Sequence, residues 1–304
     1  MPTILITGAS GFIGRHFCHA MDEMNWSIVA LSRDINKAKK VLPDTSRVIS
    51  KLSDMDSDSY IDAVVNLAGE SLAEGRWTEK RKEIFYSSRI GFTEQLFTFF
   101  NDGRPAPKVI ISGSATGFYG PSSDILDESG QSVDGFSHRL CLDWENSALK
   151  FEDLGSRVCL IRTGIVLGEL GALAKMLLPF QLGLGGPIGN GKQFMSWIHI
   201  NDMIRLLKFC LLTLEIEGSV NATAPEPVTN KTFSQELATV LKRPALIPLP
   251  GMLVKLLFGE MGQELLLQGQ RVIPKKMLDA GFEFKYPELK MALINLLKEQ
   301  QKPH

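Results

Sequence analysis

Cysteine is scarce in this 304-residue chain: there are four, Cys18, Cys141, Cys159 and Cys210. No two of them stand as C-x-x-C, which argues against a zinc site or a dithiol redox motif. They are expected to be reduced thiols in a cytoplasmic setting, and no metal is expected. An excess of one charge is also missing. Lys and Arg number 33 against 34 Asp and Glu, leaving −1, so nothing draws the chain as a whole to nucleic acid or to an anionic membrane. No apolar run reaches the ~18 residues that span a bilayer; the best candidate, 206–214, is broken by Lys208. The first residues carry no basic cluster and run straight into a strand pattern, so they do not read as a signal peptide. What remains is 44% hydrophobic and 22% charged, the composition of a folded globular protein rather than a disordered or collagen-like chain.

Short apolar and β-branched runs alternate with helical spacing. Segments 3–7, 27–31, 61–68, 108–112 and 157–162 read as strands, and 12–23, 36–41, 80–100 and 140–151 as helices. That alternation predicts an α/β fold, a doubly wound parallel sheet covered on both faces. The texture changes after Thr163. Segment 183–191 carries five glycines and a proline and predicts a loop. Proline-punctuated helical patterns at 233–241, 252–258 and 288–298 predict a small, mostly helical region closing over the C-terminal edge of the sheet.

The strongest motif is Gly8-Ala9-Ser10-Gly11-Phe12-Ile13-Gly14, placed between a strand and a helix. In that context Gly8 permits a tight turn, Gly11 lets backbone approach a diphosphate, and Gly14 lets the helix pack close to the strand. Phosphate oxygens would meet unpaired N–H groups at the positive end of the helix dipole. The expected organisation is a dinucleotide-binding domain over 1–165 that also receives part of 195–225. Segments 166–194 and 226–304 would then form the substrate region.

Thr7 to Gly14, with Asn66-Leu67-Ala68-Gly69 after a later strand, resembles the short-chain dehydrogenase/reductase superfamily. Phe12-Ile13-Gly14 and the chain length point to its extended, epimerase/dehydratase-like branch, which implies an extended Rossmann fold. The second strand ends Leu31-Ser32-Arg33-Asp34. An acidic residue there suits the ribose 2′-OH of NAD and an arginine suits a 2′-phosphate. Arg33 comes first, with Ser32 beside it and Lys37 near, so NADP is favoured over NAD.

The superfamily's acid/base pair is Tyr-x-x-x-Lys, in which the lysine cation lowers the tyrosine pKa. Of the four tyrosines only Tyr286 has a lysine four residues on, Lys290, and that pair lies far beyond the core strands. Segment 111–120 resembles the superfamily's serine-bearing strand end, and Glu145 fits the glutamate four residues after the lysine. Counting back puts Cys141 at the lysine position and Ser137 at the tyrosine position, so the pair is missing. Ser114 remains as the hydroxyl that would hold a substrate oxygen, with Thr116 second. Tyr119 is a candidate replacement acid, and Cys141 is expected to be a buried structural thiol.

Leu140-Cys141-x-x-Trp144-Glu145, the glycine/proline loop 178–191, Trp197-Ile198-His199-Ile200-x-Asp202 and Gly269 to Pro274 resemble the YfcH-type epimerase-like family, sometimes labelled cell-division-inhibitor-like. The resemblance spans essentially the whole chain. It implies an epimerase/dehydratase-like oxidoreductase that binds NADP and acts on an unknown small polar substrate, nucleotide-sugar-like in character. The alternative is a non-catalytic NADP-binding regulatory or interaction protein, division-related by its label. It also suggests cofactor contacts at Thr7, Phe12, Ile13, Leu67, Ala68, Gly69 and Glu70, an Arg89 pairing with a cofactor phosphate, and a ligand-facing Arg162. His199 and Asp202 are read as structural, loop 183–191 with Lys192 and Gln193 as a substrate lid, and a homodimer through 80–100 and 140–151 as a superfamily expectation.

Overall fold

Successive residues of the opening strand supply opposite sides of a sheet. Ile4 and Ile6 enter one buried cluster and Leu5 another, and the same alternation holds for Ala63 and Val65 against Val64. A strand buried on both faces needs apolar residues at every position, which is what these runs contain. In the computed structural model, which describes residues 1–56 and 59–299, seven such strands pair in parallel. They are β1 (Thr3–Thr7), β2 (Ser27–Leu31), β3 (Arg47–Ile49), β4 (Ala63–Asn66), β5 (Val109–Ala115), β6 (Arg157–Thr163) and β7 (Gly218–Ala222). Their order, β7-β6-β5-β4-β1-β2-β3, reverses direction between β1 and β4. In open sheets of this kind the crevice at that reversal, outside the strands' carboxyl ends, is where ligands bind.

The helix α1 (Phe12–Asp22) leaves β1 through the glycine turn. The single helix expected over 80–100 is instead three joined pieces: α2 (Glu79–Tyr86), a π-helical turn Ser87–Gly91, and α3 (Phe92–Asn101). A π turn accommodates one more residue per ring than an α turn. Here it carries Ser88 and Arg89 to the end of β4: Ser88 Oγ accepts from the Glu70 N–H at 3.1 Å, and Arg89 Nη2 donates to the Glu70 carbonyl at 2.8 Å. Helix α4 (Phe136–Leu149) follows β5 and packs Trp144 against Gly113, where a Cβ would come within 2.8 Å of the indole.

The C-terminal half does not build a separate core. One buried cluster runs from Ile4 to Leu297 and includes Ile204 and Leu207 of α5 (Ile200–Leu212) and Leu293 and Leu296 of α6 (Leu289–Glu299). Gln270–Val272 pairs in parallel with Ser122–Leu126, tying late chain to early chain. Residues 300–304, within the segment expected to belong to the substrate region, lie outside the described residues.

Candidate active site

The glycine turn is held by backbone proximity. Gly8 has φ +63°, and a Cβ on it would stand 2.5 Å from the Leu67 carbonyl oxygen. A Cβ on Gly14 would stand 2.3 Å from the Gly8 carbonyl oxygen, so the helix start lies directly on the strand exit. Gly11 donates its N–H to the Gly8 carbonyl at 2.9 Å. No side chain caps α1, and its first turn has no acidic residue. The opening N–H groups of a helix have no partner within it, so these are left for an anion at the positive end of the dipole. The donors, the close backbone approach and the missing cap together fit a diphosphate. Phe12 and Ile13 are half-buried here, Phe12 lying edge-on to His16 at 5.7 Å. Thr7 plays a different part from the cofactor contact expected of it. It is fully buried; its hydroxyl donates to Asn66 Oδ1 at 2.7 Å and accepts from the Ala68 N–H at 3.2 Å. Thr7 therefore fixes Leu67 and Ala68 against the turn and offers no group outward.

At the end of β2 the acid and the base separate. Asp34 caps the short helix Ile35–Lys39 by accepting from the Lys37 N–H at 2.9 Å. Arg33 stands 93% exposed, with Glu70 Oε2 3.7 Å away. Ser32 Oγ lies 3.1 Å from Ser10 Oγ, joining the β2 end to the glycine turn. An exposed guanidinium beside a hydroxyl, with the Asp34 carboxylate turned to a helix cap and Glu70 the one acid near it, suits a 2′-phosphate.

Between this crevice and α4 lies Arg89, 9% exposed. Its guanidinium packs on Gly69, where a Cβ would meet Cζ at 3.0 Å, and lies over the Trp144 ring at 5.3 Å. Nη2 bonds the Glu70 carbonyl, while Nη1 is buried without a partner. Burial pulls its pKa down to about 10, which leaves it a cation at neutral pH.

The catalytic positions form two groups. Ser114 Oγ donates to Glu145 Oε1 at 2.6 Å. Arg162 grips the same carboxylate with two bonds of 2.9 Å, Nε to Oε1 and Nη2 to Oε2. Arg162 Nη1 donates to Tyr119 Oη at 3.0 Å and to the Glu128 carbonyl at 3.2 Å, and Tyr119 donates to Asn221 Oδ1 at 2.8 Å. This revises two expectations. Arg162 faces its own carboxylate and Tyr119 rather than the glycine crevice, because a strand-borne buried cation must be matched internally. Tyr119 is fully buried with its hydroxyl engaged on both sides, and burial pushes its pKa up, so it presents no proton to a substrate.

The second group is Ser137 and Cys141. Ser137 donates its N–H to Glu264 Oε2 at 3.1 Å, and its hydroxyl donates to the same oxygen. A carboxylate from the C-terminal region thus anchors the first turn of α4. Burial pushes the Cys141 thiol up to about 12, so it is neutral at physiological pH.

Loop 183–191 is packed rather than loose. The Gly189 N–H bonds the Leu249 carbonyl at 2.8 Å and the Leu249 N–H bonds the Pro187 carbonyl at 2.9 Å. A Cβ on Gly186 would fall 2.2 Å from the Ile247 carbonyl oxygen. Gly185 and Gly186 therefore serve close approach, while Gly183, Gly189 and Gly191 hold left-handed backbone. Gln193, just beyond, donates to the Ile188 and Leu266 carbonyls and keeps a buried, unpartnered Oε1. His199 stacks on Tyr286 at 3.9 Å, and the fully buried Asp202 accepts from the Lys285 and Tyr286 N–H groups. Both therefore tie α5 to the segment before α6.

Residues 4–222 match the NAD dependent epimerase/dehydratase family, and 249–296 match a domain of unknown function, DUF1731. The chain belongs to the NAD dependent epimerase/dehydratase family. Among similar proteins, the epimerase family protein YfhF of Bacillus subtilis is 34% identical over 98% of this chain and 99% of its own. The chloroplastic SDR39U1 homolog of Arabidopsis thaliana is 38% identical over 97% and 87%. The crystal structure of human epimerase family protein SDR39U1 with NADPH superimposes with a TM-score of 0.88 at 33% identity, covering 97% of this chain and 99% of that one.

In this family member, reading the sequence did not bring out Glu264 or the pairing of Glu145 with Arg162. Glu264 is 127 residues from Ser137, and no local pattern links them. Glu145 stands out in the sequence only by its spacing; a glutamate on a helix otherwise buried at Trp144 and Ala148 is the sign that it needs a buried cation.

Proposed function

We propose that the chain binds NADPH in the glycine crevice and carries out redox or epimerase-like chemistry on a small polar substrate of nucleotide-sugar character. One observation carries the cofactor half: α1 begins uncapped on the Gly8–Gly14 turn, with Arg33 exposed to solvent and Asp34 committed to a helix cap. The related human protein crystallised with NADPH supports the same reading. When bound, the cofactor supplies or accepts a hydride. The chain's own part is to hold the substrate oxygen at Ser114, whose hydrogen must turn from Glu145 to reach it. Purified protein should change nicotinamide absorbance with some member of a carbonyl and sugar-nucleotide panel, and Ser114→Ala should abolish that change. Full turnover in the variant removes Ser114 from the reaction.

A second reading is favoured by Ser137 and Cys141 in place of the acid/base pair: a binding protein that holds NADPH and acts through a partner. Loss of a general acid/base costs ~10²–10⁴-fold in rate. Pull-downs with and without NADPH that return no partner, alongside measurable turnover, reject it.

A further inference from the structure

Lysine is absent from position 141, but positive charge is not absent from the site. Arg89 approaches α4 from the π turn. Its guanidinium lies over Trp144, one helical turn from Cys141. No carboxylate is within ion-pair reach of Arg89 among the described residues; Glu70 turns its carboxylate to Arg33 and Arg81. The other deeply buried guanidinium, Arg162, is neutralised by Glu145. Arg89 is thus a buried cation with one nitrogen, Nη1, still unpaired, set beside the strand end Leu67–Glu70 that lines the crevice.

We propose that Arg89 supplies, from the neighbouring helix, the cation that a Tyr-x-x-x-Lys pair would place at position 141, and that its charge makes the site prefer reduced over oxidised cofactor. The inference rests on NADP(H) binding in the glycine crevice. The two cofactor forms share their phosphates and riboses and differ at the ring, neutral when reduced and positive when oxidised. Arg89 lies over Trp144, which packs on Gly113 next to Ser114. With Ser114 holding the substrate oxygen, the nicotinamide ring would come to that side, and a fixed buried cation there disfavours only the second. Unit charges within ~10 Å at an effective dielectric of ~20 shift an equilibrium by roughly tenfold. A contact to a cofactor phosphate alone would raise both affinities together and leave their ratio unchanged.

The test is titration of the full chain with NADPH and with NADP⁺, by calorimetry, for wild type, Arg89→Met and Arg89→Lys, with a melting curve for each. Wild type should bind NADPH at least tenfold more tightly than NADP⁺. Arg89→Met should bring the ratio to within about threefold of unity, and Arg89→Lys should largely keep it. Equal affinities in wild type overturn the proposal without any variant, as does a preference that survives Arg89→Met or parallel weakening of both forms. Binding of both forms by wild type with no preference leaves the cofactor reading standing; binding of neither ends both.

Discussion

Replacing Glu145 with glutamine keeps its shape and removes its charge. In the native chain that charge sits between Arg162 and Ser114, with the two ionic side chains only 6% and 5% exposed. Removing one member of a buried pair typically costs ~3–5 kcal/mol, because the other charge remains out of water. Arg162 would keep Tyr119 Oη and the Glu128 carbonyl as acceptors and the Phe118 ring 3.5 Å below its Cζ. That compensation places the expected cost near the lower end, ~3 kcal/mol. With an unfolding entropy of ~2.1 cal/mol/K per residue, or ~0.6 kcal/mol/K for a chain of this length, the melting temperature should fall by ~5 °C. Thermal unfolding followed by circular dichroism reads this directly. Glu94→Gln is the control: its partner Lys150 is 2.9 Å away, but both side chains are about half exposed, and such pairs contribute ~0–1 kcal/mol. Equal, small shifts in the two variants would refute the claim that Glu145 and Arg162 are a desolvated unit. Glu145→Gln combined with Arg162→Met should recover much of the loss, since the stranded charge is gone.

All four thiols are buried, and burial raises Cys18 and Cys141 to about 12. Native protein should therefore resist a thiol reagent at pH 8 and release four equivalents only in denaturant; fast native labelling contradicts the packing. Burial pushes Glu169 up, but hydrogen bonds from His16 and Arg15 outweigh it and hold the carboxyl below its ordinary 4.5. A folded pKa below the unfolded one gives stability that is present above about pH 4.5 and is lost as pH falls through the folded value. Glu169→Gln should flatten that acid limb, and an unchanged pH–stability curve would remove the interaction. Gly8→Ala forces a Cβ into left-handed backbone at ~1–2 kcal/mol and drives it against Leu67. It should lower the melting temperature and weaken NADPH binding together; a variant that binds normally would show that the turn can relax.

Strands buried on both faces carry their signal in every residue, so β1, β2, β4, β5 and β6 were legible in the sequence, as was the glycine turn between β1 and α1. Short pairings fixed by distant partners were not: β3, and Gln270–Val272 against Ser122–Leu126, have no local period to betray them. The π turn at Ser87–Gly91 was also hidden, because one extra residue in a helix barely disturbs its apolar spacing. In the site, Ser114 and Glu145 could be picked out along the chain, but not what surrounds Ser137 and Trp144, since Glu264 and Arg89 come to them from other elements. Tyr119 and Arg162 looked ligand-facing because each stands near a strand end; only the three-dimensional arrangement shows that they satisfy one another.

Cofactor binding depends most on bare amides at the start of α1 gripping a diphosphate. The direct measurement is the melting temperature of purified chain with increasing NADPH. A ligand that binds only the folded state adds ~2.7 kcal/mol at one hundred times its Kd, which for this length is a rise of ~4 °C. A saturating rise of that size is the expected result, and a melting temperature that stays constant through millimolar NADPH and NADH contradicts it.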